Sequence, residues 1–199
     1  MRLASRMERI GTETAFEAAA RARALEATGR HVIHLEIGQA DFDTPRNVSE
    51  AASRALLDEG ATHYTAATGI PDLREAIATD VMRWKGIEAT PDQVVVTPGA
   101  KPIMFYAMLA LVDDGDEVIY PNPGFPIYES MARYVGGVPV AAPLREENDF
   151  RMDVEEVASL VTPRTRLLVL NSPHNPTGSI LTADDIRRLA EIAVEHDLV

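Results

Sequence analysis

The side chains best suited to chemistry gather in three short segments, each placed where an apolar run ends or a helical pattern begins. Residues 171–178 read Asn-Ser-Pro-His-Asn-Pro-Thr-Gly, directly after Arg-Leu-Leu-Val-Leu at 166–170. A buried strand therefore empties into a polar turn, at the strand end where open α/β sheets bind ligands, and two X-Pro steps hold the residues before each proline extended. This turn presents Asn175 as a hydrogen-bonding group, although Asn is also a common turn former that bonds its own backbone. Residues 97–102, Thr-Pro-Gly-Ala-Lys-Pro, join a strand pattern to a helix pattern. Such a junction aims backbone N–H groups and the positive helix end at one point, a natural seat for a phosphate. Residues 121–128, Pro-Asn-Pro-Gly-Phe-Pro-Ile-Tyr, place Phe125 in a third such loop. That ring either lies flat against a planar ligand or caps the core with its large apolar area.

Other chemistries find little support. Of 19 basic residues only Lys85 and Lys101 are lysines, so amine chemistry has those two and the N-terminus. With no cysteine there is neither a disulfide framework nor a thiolate nucleophile. No Walker, Gly-x-Gly-x-x-Gly or Gly-x-Ser-x-Gly pattern occurs. His31 and His34 lie three apart on an expected strand and so face opposite ways, while His63, His174 and His196 lack ligand spacing; no metal site is expected. The pairs Glu146-Glu147 and Asp184-Asp185 read as solvated faces. Tyr64 lies in a connector and Gly38 in a turn, and each has a plain structural reading when taken alone.

The elements that must position these loops follow from periodicity and punctuation. Helices are expected at 14–28, at 46–59 with Gly60 as its stop, and from Pro71 to a stop at Gly86. A β-rich segment at 31–37 precedes the Gly/Asp/Pro loop at 38–45. From Asp92 the pattern is regular: strand 93–97, helix 102–112, strand 117–120, helix 127–134, strand 138–142, helix 153–161, strand 166–170, and a helix to about His196 opened by a Thr182-x-x-Asp185 capping box. Repeated β-α-β units predict an α/β fold with a mainly parallel sheet flanked by helices, preceded by an N-terminal helical segment. The closing residues 197–199 read as the start of another buried strand, so the chain is expected to be part of a longer protein.

A chain of 199 residues, 46% hydrophobic, buries a substantial core. Its net charge of −12 argues against nucleic acid or an anionic membrane as partner. The first residues lack the apolar stretch of a secretion signal, no run approaches a membrane span, and the absence of cysteine fits a cytoplasmic location.

Together the segments resemble the fold-type I pyridoxal-phosphate enzymes, specifically the class I/II aminotransferases around aspartate aminotransferase. The resemblance covers nearly the whole chain and rests on five stretches in the family's order: 37–45 (Ile-Gly-Gln-Ala-Asp-Phe-Asp-Thr-Pro), 64–74 (Tyr-Thr-Ala-Ala-Thr-Gly-Ile-Pro-Asp-Leu-Arg), 97–101, 120–128 and 171–178. It implies an enzyme that moves an amino group from an L-amino acid to a 2-oxo acid, with pyridoxal 5'-phosphate as cofactor. By the same resemblance Gly99, Ala100 and Lys101 cradle the cofactor phosphate and Phe125 stacks on the pyridine ring. Asn175 bonds the ring's phenolic oxygen and contributes to the substrate site, Gly38 meets the substrate carboxylate, and Tyr64 reaches the phosphate of the neighbouring subunit in a homodimer.

The resemblance also implies that residues 1–45 are part of a small domain and substrate loop, and 46–199 a large cofactor-binding domain truncated at its C-terminal side. The family's Schiff-base lysine, pyridine-nitrogen aspartate and carboxylate-clamping arginine lie downstream of Val199. No catalytic residue is therefore assigned within the chain, Lys101 being tied to the phosphate end, and the 199-residue polypeptide is expected to be inactive. Three readings share these motifs: a carbon–sulfur lyase or synthase of the same fold, an aminotransferase-like ligand-binding domain of a regulator, and a non-catalytic partner that lends Tyr64 to a longer subunit.

Overall fold

The computed structural model describes residues 2–11 and 14–199. Seven α-helices and three strands are present among them: α1 (Thr14–Glu26), α2 (Arg46–Leu57), α3 (Pro71–Lys85), α4 (Lys101–Leu111), β1 (Glu117–Asn122), α5 (Ile127–Val135), β2 (Val138–Pro143), α6 (Val154–Leu160), β3 (Thr165–Leu168) and α7 (Ala183–Glu195). The chain divides into two compact units, one made of the described residues within Met1–Glu17 together with Ala100–Val199, the other of Ala18–Gly99.

The first unit is built on a three-stranded parallel sheet in the order β2-β1-β3. Central β1 is buried on both faces, and its neighbouring residues divide the core between them. Ile119 packs with Val157 of α6 and Leu189 of α7, whereas Val118 packs with Met108 of α4 and Ala132 of α5. Period-two alternation thus sends adjacent side chains to opposite helix layers, as a doubly covered parallel strand requires. β3 is irregular: Glu117 pairs with Thr165 but Val118 with Leu167, leaving Arg166 as the extra residue. Beyond β3 the Val199 backbone exchanges two hydrogen bonds with it, to Leu168 N–H and from its own N–H to Arg166 O, at 2.9 and 3.0 Å.

The foot of β1 is fastened by Glu117, which is 4% exposed. Its carboxylate accepts from Thr162 Oγ1 at 2.6 Å, from Thr165 Oγ1 at 3.2 Å and from the Arg164 guanidinium. Burial alone would raise this carboxyl's pKa, but the three donors hold it below the ordinary value. At the other flank the Ser130 hydroxyl of α5 accepts the Gly11 N–H at 2.9 Å and ties the N-terminal segment to the unit.

Helix signals in the sequence translate closely. Pro71 occupies the first turn of α3, Gly86 ends it, and Asp153 caps α6 by accepting from the Glu155 and Glu156 N–H groups. The Thr182/Asp185 capping box opens α7 as expected. Two expected strands are not formed. Residues 31–37 carry no ladder; Ile33 and Leu35 are 76% and 90% exposed, and β-branched composition without a partner strand supplies no sheet. His34, read as one side of a strand, instead bonds Glu36 at 2.7 Å and Glu26 at 2.9 Å. At 93–97 the chain leaves a short 3-10 turn (Pro91–Gln93) in an extended conformation, yet Val96 N–H finds only Thr68 O. Arg74 of α3 anchors this stretch through Val94 O at 3.1 Å and Asp92 at 3.2 Å. No helix among the described residues is long and apolar enough to cross a membrane.

Candidate functional site

Parallel β1 and β3 point the same way, so the loops that follow them open at one end of the sheet. α4 runs back toward the foot of β1, which brings its N-terminus to that same end. The structure therefore gathers there three of the sequence-expected segments.

At the head of α4, Gly99 has φ +95°, a left-handed conformation that glycine adopts without strain. The turn is closed by Gly99 N–H to Thr97 O at 2.8 Å and by Thr97 Oγ1 to Gly99 O at 2.6 Å. Ala100 is the N-cap and Lys101 the first helical residue, with Pro102 in the first turn where its missing N–H costs nothing. A Cβ at Gly99 would meet nothing within 4 Å, so the turn leaves open space beside the positive helix end. Gly99 closes one compact unit and Ala100 opens the other.

The Lys101 ammonium lies 5.5 Å from the Phe125 ring centroid and 5.7 Å from that of Phe16. Both rings lie within cation–π distance of the ammonium, so aromatic contacts help to fix where Lys101 holds its charge. Phe125 is itself braced: its carbonyl accepts the Tyr128 N–H at 3.1 Å, and its ring meets Tyr128 edge-on at 6.0 Å. Gly124 permits this turn, since a Cβ there would sit 2.1 Å from Pro121 O. Just below, Tyr120 donates its hydroxyl to Glu129 Oε2 at 3.1 Å, and burial followed by the Glu129 charge pushes its pKa up to about 12.

The loop after β3 is fastened from several directions. Asn171 Oδ1 accepts the Asn175 N–H at 2.6 Å, Gly178 N–H bonds His174 O at 2.7 Å, and His174 N–H bonds Ser179 O at 2.8 Å. Ser172 Oγ accepts the Leu181 N–H at 3.0 Å. Asn175 is exposed, and its backbone N–H is held by Asn171 within this clamped turn. Ser172-Pro173 and Asn175-Pro176 are cis, as is Asn122-Pro123.

These residues suit a phosphorylated planar ring: a helix start and an ammonium for phosphate, an aromatic face for the ring, and an amide for a ring oxygen. Of the expected residues, Lys101 and Phe125 are in direct contact, Ala100 adjoins Lys101, and Asn175 stands on the neighbouring loop. Gly38 and Tyr64 belong to the other compact unit, where both are exposed. Sequence reasoning missed Phe16, which sits in an alanine-rich helical stretch, and His174, whose surroundings come from distant parts of the chain. A large aromatic among alanines at 14–20 was the available signal for the first.

Comparisons with known proteins identify the family and the fold. The family model described as aminotransferase class I and II matches residues 30–199. The chain is 41% identical over 196 residues to a probable aspartate/prephenate aminotransferase of Aquifex aeolicus, covering 98% of this chain and 50% of that relative. It is 43% identical over 195 residues to one named likewise from Thermus aquaticus, covering 98% and 51%. A solved structure of aspartate aminotransferase from Thermus thermophilus with maleate superposes with a TM-score of 0.94 at 41% identity, over all of this chain and 52% of that one. The chain spans about half the length of the curated relatives it matches.

Proposed function

The chain belongs to the aminotransferase class I and II family, and from that premise we propose that its strand-end loops form one wall of a pyridoxal 5'-phosphate seat in an enzyme that transfers an amino group from an L-amino acid to a 2-oxo acid. The observation that carries this reading is the Lys101 ammonium set beside the Phe125 ring at the start of α4. The cofactor, when bound, supplies the electron sink for carbanion chemistry at the substrate's α-carbon. This chain's residues do the holding. Gly99, Ala100 and Lys101 take the phosphate, Phe125 covers the ring, and the Asn175 amide donates to the phenolic oxygen and so favours its anionic form. Asn175 and Gly38 border the substrate.

The proposal includes a homodimer in which the fully exposed Tyr64 reaches the partner's phosphate and a biosynthetic role, both resting on the family resemblance, and a cytoplasmic location, which the cysteine-free composition fits. It also keeps residues 1–45 with a small domain and 46–199 with the cofactor-binding domain. Neither nucleic acid nor membrane is a partner in this reading.

Pyridoxine 5'-phosphate tests the seat without forming an imine. Titrated into the 15N-labelled chain, it is expected to shift the amide signals of Ala100, Lys101, Phe125 and Asn175, and Lys101→Ala should weaken binding about tenfold, the loss of one charge-assisted contact. Shifts confined to other residues would overturn the reading. The polypeptide by itself is expected not to transaminate, because the family's Schiff-base lysine has no counterpart in Lys85 or in Lys101. Turnover abolished by Lys101→Ala would reverse that assignment.

A further inference from the structure

Among the described residues one buried side-chain nitrogen lacks a hydrogen-bond partner, His174 Nε2. The ring is 5% exposed, and burial lowers its pKa, so it is neutral at physiological pH. Which nitrogen carries the proton follows from its neighbours. Ser179 Oγ lies 2.8 Å from the Phe150 carbonyl, which only accepts, so the Ser179 hydroxyl donates there. Thr177 Oγ1, 3.2 Å from Ser179 Oγ, must then donate to it, having no proton left for a second bond. His174 Nδ1, 2.8 Å from Thr177 Oγ1, is thereby required to be the donor. The proton sits on Nδ1, and Nε2 is a bare lone pair. Beside it is a cavity of about 10 Å³ bordered by Asn171, Ser179, Pro121 and Leu144. That is room for about one water, which needs at least two polar partners, and His174, Asn171 and Ser179 are the polar residues among its lining.

We propose that His174 is a positioning residue for Asn175: as the Nδ1–H tautomer it starts a one-way relay through Thr177 and Ser179 to the Phe150 carbonyl, and its Nε2 accepts a hydrogen bond from a single water that also meets Asn171. Asn171 in turn holds the Asn175 N–H. The imidazole is thus the joint between the turn at 149–150 and the loop that presents Asn175. The importance of that loop rests on the cofactor reading above, whereas the relay itself does not.

Long-range 1H–15N spectra of the histidine-labelled chain, without ligand, should show His174 with Nδ1 protonated and Nε2 pyridine-like. An Nε2–H tautomer or an imidazolium at neutral pH would overturn the relay. In Ser179→Ala the Thr177 hydroxyl loses its acceptor and turns to Nδ1, so the proton should move to Nε2 and amide exchange at Asn175 should quicken about tenfold. An unchanged tautomer would sink the proposal. His174→Asn, whose amide replaces the Nδ1 donor, should retain more Asn175 protection than His174→Gln; equal loss would refute the directional role. Pyridoxine 5'-phosphate separates the two readings: a normal tautomer with no ligand response at Asn175 removes the cofactor assignment and leaves the relay standing.

Discussion

Glu117 shows how much one buried charge matters when every oxygen is spoken for. Its folded-state pKa lies below the unfolded value, so the stability it contributes is fully present above the ordinary carboxylate range and is lost as pH falls through the lowered value. Denaturant melts taken from neutral pH downward should show that acid sensitivity, and Glu117→Gln should flatten it. The same variant is expected to cost about 2–3 kcal/mol at neutral pH, because Arg164 loses its carboxylate and Thr162 and Thr165 their charged acceptor. Nothing in the local sequence announces this staple, since its partners lie 45 to 48 positions away. Lys101, Phe125 and Asn175 were legible for the opposite reason: each stands in a short run whose Pro and Gly punctuation marks a strand-end loop. His174 stands in such a run too, yet its role depends on Phe150 and Ser179, which only the fold brings to it.

Helices proved more readable than strands because a helix closes its hydrogen bonds locally and a strand does not. Asp153, Thr182, Pro71 and Gly86 each act within one turn of their own position, so their signals survive translation into structure. Residues 31–37 and 93–97 carry β-rich composition, but their ladders need partners that the composition does not name. Two variants probe elements directly. Asp153→Ala removes the acceptor for two N–H groups at the start of α6 and should lower stability by about 1 kcal/mol, read by denaturation. Gly124→Ala forces a methyl against Pro121 O and should cost about 1–3 kcal/mol while displacing Phe125, seen as a loss of the Lys101–Phe125 contact in spectra of the ring protons.

At the level of the molecule the sheet unit works as a clamp with one plain end and one chemical end. Ile119, 0% exposed between α6 and α7, belongs to its interior, and Ile119→Ala should cost about 2–5 kcal/mol by chemical denaturation, with the spread set by how far the core collapses. A saturating anionic ligand should add stability by mass action, about 2.7 kcal/mol at a hundredfold excess over its dissociation constant, visible as a raised melting temperature; the tenfold weaker binding of Lys101→Ala should cut that gain to about 1.4 kcal/mol at the same ligand concentration. The contact of Phe16 with Lys101 bears on how such a chain can be cut and rejoined. These two residues border the places where the sheet unit breaks off and resumes, at Glu17 and at Ala100, and their side chains touch. Residues 18–99 therefore form an excursion whose two mouths, within the sheet unit, are neighbours. A short Gly/Ser bridge from Glu17 to Ala100 would close only a small gap, and loop closure over so few residues is entropically cheap. The spliced chain should retain the parallel sheet and the ring-shifted Lys101 signals while lacking the Gly99 turn, so the contact of Lys101 with the rings can be read apart from that turn.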